Sequence, residues 1–197
     1  MKTLEQIKSI LEKKKYPFFD NGKPYNLNLI GVRHIGSTPN KFDDEFYCIY
    51  RDETGKWQIK CYQCTTDPGI YWLNNPMNIE GAGIMVEGHY QSLWKEGLHQ
   101  GKYPALVQNA PVKLYRDKDK DSDLDMDEKT IVSGMFGVNC HHAGVKSAQV
   151  DKWSAACQVF ANISDWDNFR LIAYKYQYYF PGAKYSYTLL NEKDFYL

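Results

Sequence analysis

The chain predicts a mainly β, α+β single domain: a sandwich or barrel of about eight short strands with two covering helices. Three observations predict it. Short segments of alternating apolar residues recur between dense Gly, Pro, Asn and Asp turn signals. The aromatic load is high, with 16 Tyr, 9 Phe and 5 Trp, and such side chains favour strands and ring-faced grooves. A length of 197 residues fits one domain able to bury an ordinary core without disulfides or metal. Residues 1–197 are therefore read as one unit, with 1–22 forming an N-terminal helix and turn packed on it.

The elements follow in chain order. Residues 3–14 form an amphipathic helix in which Leu4, Ile7, Ile10 and Leu11 share a face and Thr3 with Gln6 offers a capping box. Asp20 to Pro24 is a turn, and Tyr25 to Arg33 alternates as a strand, followed by a polar loop from Gly36 to Asp44. Phe46 to Arg51 and Trp57 to Thr65 are strands joined by the hairpin signal Asp52-Glu-Thr-Gly55. Cys61 and Cys64 form a C-x-x-C without the second pair of a zinc ribbon or the following helix of a thioredoxin site. Thr65 to Gly69 is a turn, and 70–80 is a loop in which Tyr71 and Trp72 form a flap over a groove. Gly83 to Tyr90 is a strand, Ser92 to Pro104 is irregular, and Ala105 to Val107 and Val112 to Tyr115 resume the sheet. Ser164 caps a helix running to Tyr174, Pro181-Gly182 breaks the chain, and Tyr185 to Leu190 is the closing strand.

The run from Asp117 to Glu128 places Asp117, Asp119, Asp121, Asp123 and Asp125 at alternate positions and Glu128 at position 12, the ligand pattern of a calcium loop. Ser122 stands where the loop has Gly, and the flanks read as strands. The expectation is a structural calcium held by Asp117, Asp119, Asp121, Asp123 and Glu128, not a catalytic ion; catalysis is expected to need no cofactor.

Lys plus Arg and Asp plus Glu balance at 24 each, which removes any global electrostatic case for nucleic acid or an anionic membrane. No segment has the length of a membrane span, and the charged N-terminus lacks a secretory signal, so the chain is expected to be cytoplasmic on synthesis. Five cysteines, an odd number, point to free thiols.

Chemistry concentrates between Gly134 and Phe160. Met135, Phe136, Val138 and Cys140 lead to His141 and His142, a polar glycine-containing loop follows, and Ser154-Ala-Ala-Cys157 enters Val159 and Phe160. This reads as strand, loop, strand, an arrangement in which a neutral imidazole takes the proton of a thiol on the next strand. The segment resembles the L,D-transpeptidase catalytic domain, which carries a His at a strand end, a loop, then S-H-G-C followed by an apolar residue and Arg. The resemblance implies Cys157 as nucleophile, His141 as base and Ser154 as the motif serine. Ala155 replaces the second His, Ala156 replaces the Gly, and Gln158 and Val159 follow where the Arg is missing. Thr65 to Gly69 is similar to the T-P-T-G turn of the same domain, whose β-sandwich agrees with the fold read from the strands. The whole chain resembles proteins encoded by tailed bacteriophages and prophages.

The expected function is a cysteine peptidase or acyltransferase acting on peptidoglycan stem peptides beside a meso-diaminopimelate centre, through a thioacyl-enzyme. Backbone N–H groups around Ala156 and Cys157 would hold the oxyanion, with Ser154 orienting the turn. His142, Gln158, His99 and Trp72 are the candidate substrate-binding residues. Gln158 brings no charge for a substrate carboxylate, so hydrolysis is expected over transfer. Access to the wall would come from lysis or from assembly into a virion. The alternative is a non-enzymatic virion or wall-binding module on the same fold. A zinc hydrolase built from His89, His99, His141 or His142 lacks the H-x-x-x-H spacing.

Overall fold

A computed structural model describes residues 1–145 and 147–196. Eight strands close into a barrel. They are β1 (Asn28–Arg33), β2 (Asp44–Arg51), β3 (Trp57–Thr65), β5 (Gly88–His99), β6 (Tyr103–Gln108), β9 (Cys140–His142), β10 (Gln158–Phe160) and β11 (Tyr185–Asn191). Their order around the wall is β1-β11-β5-β6-β9-β10-β3-β2. The remaining strands, β4 (Ala82–Met85), β7 (Val112–Asp117) and β8 (Val132–Gly134), form a separate sheet in the order β4-β7-β8. The helices are α1 (Leu4–Lys13), α2 (Ile70–Asn74) and α3 (Ile163–Tyr179). The fold is mainly β, as the alternating pattern predicts.

Two of the barrel contacts are parallel, β1 with β11 and β9 with β10. Parallel neighbours need long connections, and here those connections carry most of the chain or the loop between His142 and Gln158. The wall around β1 is buried on both faces, which is why Asn28 to Arg33 reads as an unbroken buried run. On one face Leu29 joins Phe46, Trp94, Phe160, Tyr187 and Leu189, and α3 contributes Trp166, Phe169, Ile172 and Tyr176. On the other, Ile30 and Val32 meet Ile7, Ile10 and Leu11 of α1 with Tyr47, Ile49 and Leu190. Burying each of those three α1 side chains contributes roughly 1.5–3 kcal/mol. The capping box forms as expected, with Thr3 Oγ1 accepting from the Gln6 N–H at 3.2 Å and Gln6 Oε1 from the Thr3 N–H at 2.9 Å. A side chain at Gly31 would force Tyr187 to move, since a Cβ there would meet Tyr187 Oη at 1.8 Å.

Several boundaries differ from the sequence reading. β1 begins at Asn28, because Tyr25 sits at φ 55° and breaks the extended run. Residues 70–74 are the short helix α2 rather than loop, started at Gly69. The segment expected to be irregular, Ser92 to Pro104, is the last eight residues of the twelve-residue β5, a turn and the start of β6; Ser92 at φ 52° and a register shift opposite Tyr185 and Tyr187 form a bulge that hides the alternation. The apolar run 135–139 is not a strand, since Gly137 turns at φ 76° before β9. α3 starts after Asn162, not Ser164, and extends to Tyr179. Cys61 and Cys64, three apart on β3, fall on opposite faces and in different clusters, so they form no shared site.

Beside the barrel the turn after β3 is fixed by a buried charge group. Arg33 Nε meets Asp67 at 2.8 Å and its Nη1 meets Glu87 at 2.9 Å. Asp44 Oδ2 accepts from the Thr66 N–H at 2.7 Å and from Thr66 Oγ1 at 2.8 Å. The turn in turn holds the loop before β10: the Gly69 N–H donates to the Ser154 carbonyl at 2.8 Å. A Cβ at Gly69 would meet the Asp151 carbonyl oxygen at 2.1 Å.

Candidate active site

The β9–β10 pairing sets the site. His141 lies opposite Val159, and Gln158 opposite Cys140, so Cys157 enters its strand beside the neighbouring strand that carries His141. The turn into β10 is closed by Ser154, whose Oγ donates to the Cys157 carbonyl at 2.8 Å. Between them Ala156 has φ 149°, a conformation that favours glycine. An alanine side chain in this conformation strains the turn.

The ring nitrogens of His99 and His141 and the Cys157 sulfur include one atom each within 4.8 Å of the others. His99 comes from the end of β5 and Tyr103 from the start of β6, and the three-residue turn between them has positive φ at Gln100 and Gly101 and is closed by the Lys102 N–H donating to the His99 carbonyl at 2.9 Å. Tyr103 Oη lies 3.2 Å from His141 Nδ1. His141 Nδ1 also lies 3.0 Å from the His142 carbonyl oxygen. A carbonyl only accepts, so Nδ1 carries the proton and Nε2 presents a lone pair. That Nε2 is buried without a hydrogen-bond partner. Asn139 completes the group: its backbone N–H approaches the Cys157 sulfur at 3.5 Å, and its side-chain amide donates to His99 Nδ1 at 3.1 Å. The thiol itself points to the Gly137 carbonyl at 3.7 Å.

Burial governs the electrostatics. The Cys157 thiol is pushed up to about 11 by burial, opposed by the Asn139 N–H. His141 is brought down to about 3, first by burial and then by His99. His99 is lowered by burial and by Lys102. The resting pair is therefore neutral thiol and neutral imidazole. A neutral pair reacts by passing the sulfur proton to Nε2 as the sulfur attacks.

The other candidates divide. His99 joins the site. His142 is half-buried against Tyr103 and Trp166, with Nδ1 on the Ala143 carbonyl at 2.7 Å, and lies outside the His99–His141–Cys157 cluster. Gln158 is withdrawn from the substrate-binding set. It is fully buried, and its Oε1 accepts from Tyr187 Oη at 2.7 Å, because β10 turns this side chain into the core. His89 is occupied by Thr188 at 2.9 Å and Gln91 at 3.2 Å. Trp72 lies on α2, donates to the Lys152 carbonyl at 3.1 Å, and lines a groove of about 180 Å³ with Ala155, Ala156, Phe136 and Arg116.

Sequence reading missed Arg116, Asn139 and Tyr103. Arg116 stacks on Phe136 with its guanidinium carbon 4.9 Å from the ring centre, and burial lowers its pKa against the pull of Glu80. It is the one cation among the described residues lining that groove. The Arg-Asp junction of β7 gave no signal, since only the second sheet carries it to the Ser154–Cys157 turn.

Two residue groups could hold a metal. His99, His141 and Cys157 offer two nitrogens and a sulfur, a donor set suited to zinc. In the acidic loop the grouping is Asp117, Asp119 and Asp125. Asp121, Asp123 and Glu128 fall outside it: Asp121 Oδ1 is taken by the Asp123 N–H at 2.7 Å, and Glu128 opens a short 3-10 turn. No family model matches the chain, and no curated protein or solved structure matches it significantly.

Proposed function

We propose that this protein is a cysteine peptidase or acyltransferase that acts on peptidoglycan stem peptides, with hydrolysis favoured over transfer. The observation that carries the reading is the unpartnered, proton-free Nε2 of His141 on the strand beside Cys157, in a turn closed by Ser154. The stem-peptide substrate comes from the resemblance of Ser154-Ala-Ala-Cys157 and His141 to the L,D-transpeptidase motif. Cys157 sulfur attacks the peptide carbonyl as its proton passes to His141 Nε2. The imidazolium then protonates the departing amine, the C–N bond breaks, and a thioacyl-enzyme remains. Water, deprotonated by the same nitrogen, attacks that ester and releases the acid and the thiol. Backbone N–H groups of the Ala156–Cys157 turn meet the oxyanion.

Arg116 supplies the charge for a substrate carboxylate that the position after Cys157 lacks. No second cation among the described lining residues is there to hold the carboxylate of an acceptor amino acid. Water therefore competes well, and exchange of D-amino acids is minor. Among the described residues no helix is long and apolar enough to cross a membrane; the protein reaches the wall on lysis or as a virion component.

The test is to incubate the protein with purified sacculi and analyse released fragments, with Cys157→Ala alongside and D-methionine in excess. Hydrolysed stem peptides from the wild type alone support the reading. A dominant exchanged product makes it a transferase, and binding to sacculi without any product favours a wall-binding module. Loss of activity on chelation would move the chemistry to a metal on His99, His141 and Cys157.

A further inference from the structure

We propose that the turn following β7 binds a calcium ion through the carboxylates of Asp117, Asp119 and Asp125. Each offers an oxygen within 4.8 Å of the other two. Acidic loops are commonly just solvated, and the informative atom here is Asp117 Oδ1. Asp117 is only 1 % exposed. Its Oδ2 accepts the Asp125 N–H at 3.0 Å, while Oδ1 is buried with no hydrogen-bond partner. A buried carboxylate oxygen without a donor destabilises the fold unless a cation, a water or a proton meets it.

The backbone holds that oxygen in place. Asp117 ends the β4–β7 ladder opposite Ala82, and Gly81 at φ 101° packs so tightly that a Cβ would meet the Asp117 carbonyl oxygen at 1.9 Å. Of the two cations adjacent in sequence, Lys118 is engaged with Glu80 at 3.0 Å and Arg116 stacks on Phe136. Three oxygen donors without nitrogen or sulfur favour a hard cation. Asp119 and Asp125 are on an exposed loop, which suits the flexible coordination of calcium, with water and backbone oxygens completing the shell, better than the strict octahedron of magnesium.

This ligand set departs from the linear calcium-loop spacing. It joins Asp125 to Asp117 and Asp119 and leaves Asp123 and Glu128 outside. The ion would pin the end of β7 next to Arg116, but its binding does not depend on the cysteine chemistry.

Isothermal titration of the chelator-treated full chain with calcium chloride tests the site, with thermal melting in parallel. Saturable one-to-one binding is expected with Kd on the order of 10⁻⁴ M, in the range of open extracellular modules, and the melting temperature rises in millimolar calcium. Asp119→Asn and Asp125→Asn, both at exposed positions, each weaken binding about tenfold or more, whereas Asp123→Asn and Glu128→Gln stay within about twofold. The proposal is overturned by the absence of saturable heat and of a melting shift. It is equally overturned if Asp123→Asn or Glu128→Gln weakens binding as much as Asp119→Asn, or if magnesium binds as tightly as calcium.

Discussion

The imidazoles of His99 and His141 pack with ring centres 4.0 Å apart and planes 30° from parallel. Two rings this close, one buried and one half-buried, cannot readily both be charged. Together with burial, this keeps His141 neutral down to about 3.

A neutral His141 makes two pH predictions. For activity, kcat/KM on a stem tetrapeptide should show no acidic limb from His141 between about pH 5 and 8. For stability, the folded-state value lies below the unfolded one, so the unfolded chain binds more protons on acidification. The stabilisation is complete above the unfolded value near 6.5 and is lost as pH falls towards 3. Between pH 7 and 4 the loss attributable to this residue is on the order of 3 kcal/mol. Denaturant unfolding across that range should be flatter for His141→Asn; an equal slope would remove the assignment.

Cys157 should be a slow thiol at rest. Its value near 11, raised by burial, leaves little thiolate at neutral pH. Mass-mapped alkylation should therefore accelerate about tenfold per pH unit from 7 to 9, in proportion to thiolate. A plateau near neutrality would show a preformed ion pair instead.

Arg33 holds the turn that carries the Ser154 loop. Arg33→Met removes the partner of Asp67 and Glu87 while both carboxylates stay, so about 3–5 kcal/mol of stability should be lost. Chemical denaturation reads this directly, and a loss under about 1 kcal/mol would mean that the group relaxes to water.

Arg116→Gln should raise KM for a substrate ending in a free carboxylate by about tenfold or more with kcat nearly unchanged, the effect of losing one charged hydrogen bond worth about 1.5–3 kcal/mol. The same substitution should not affect a substrate amidated at that carboxylate. Equal effects on both would assign Arg116 to structure alone.

What the sequence made legible was local. The Asp52–Gly55 hairpin joining β2 and β3, the capped α1, and the order His141, loop, Ser154, Cys157 are all written within short windows. The bulge at Ser92 and the three-residue β8 were not, because they carry too few residues to show a period, and the strand read up to His141 shrinks to the three residues of β9, whereas the strand entering Val159 and Phe160 was read and is β10. His99 was visible as a candidate, but its packing on His141 depends on the β5–β6 hairpin meeting β9, where the ladder joins Leu106 to Cys140. Gln158 was misplaced because the alternation along β10 does not say which face is the core. The acidic loop shows the same limit: spacing put Asp121 and Asp123 in the ligand set, whereas the fold brings Asp125 back to Asp117.

The central claim, that Cys157 forms a covalent intermediate with His141 as base, is tested most directly by intact-mass measurement during turnover of a stem tetrapeptide. The account predicts a transient acyl adduct that maps to Cys157, is absent from Cys157→Ala, and forms at least about 10²-fold more slowly in His141→Gln, the range expected for loss of a general base. No adduct on Cys157 while product accumulates, or product formation by Cys157→Ala at the wild-type rate, would contradict it.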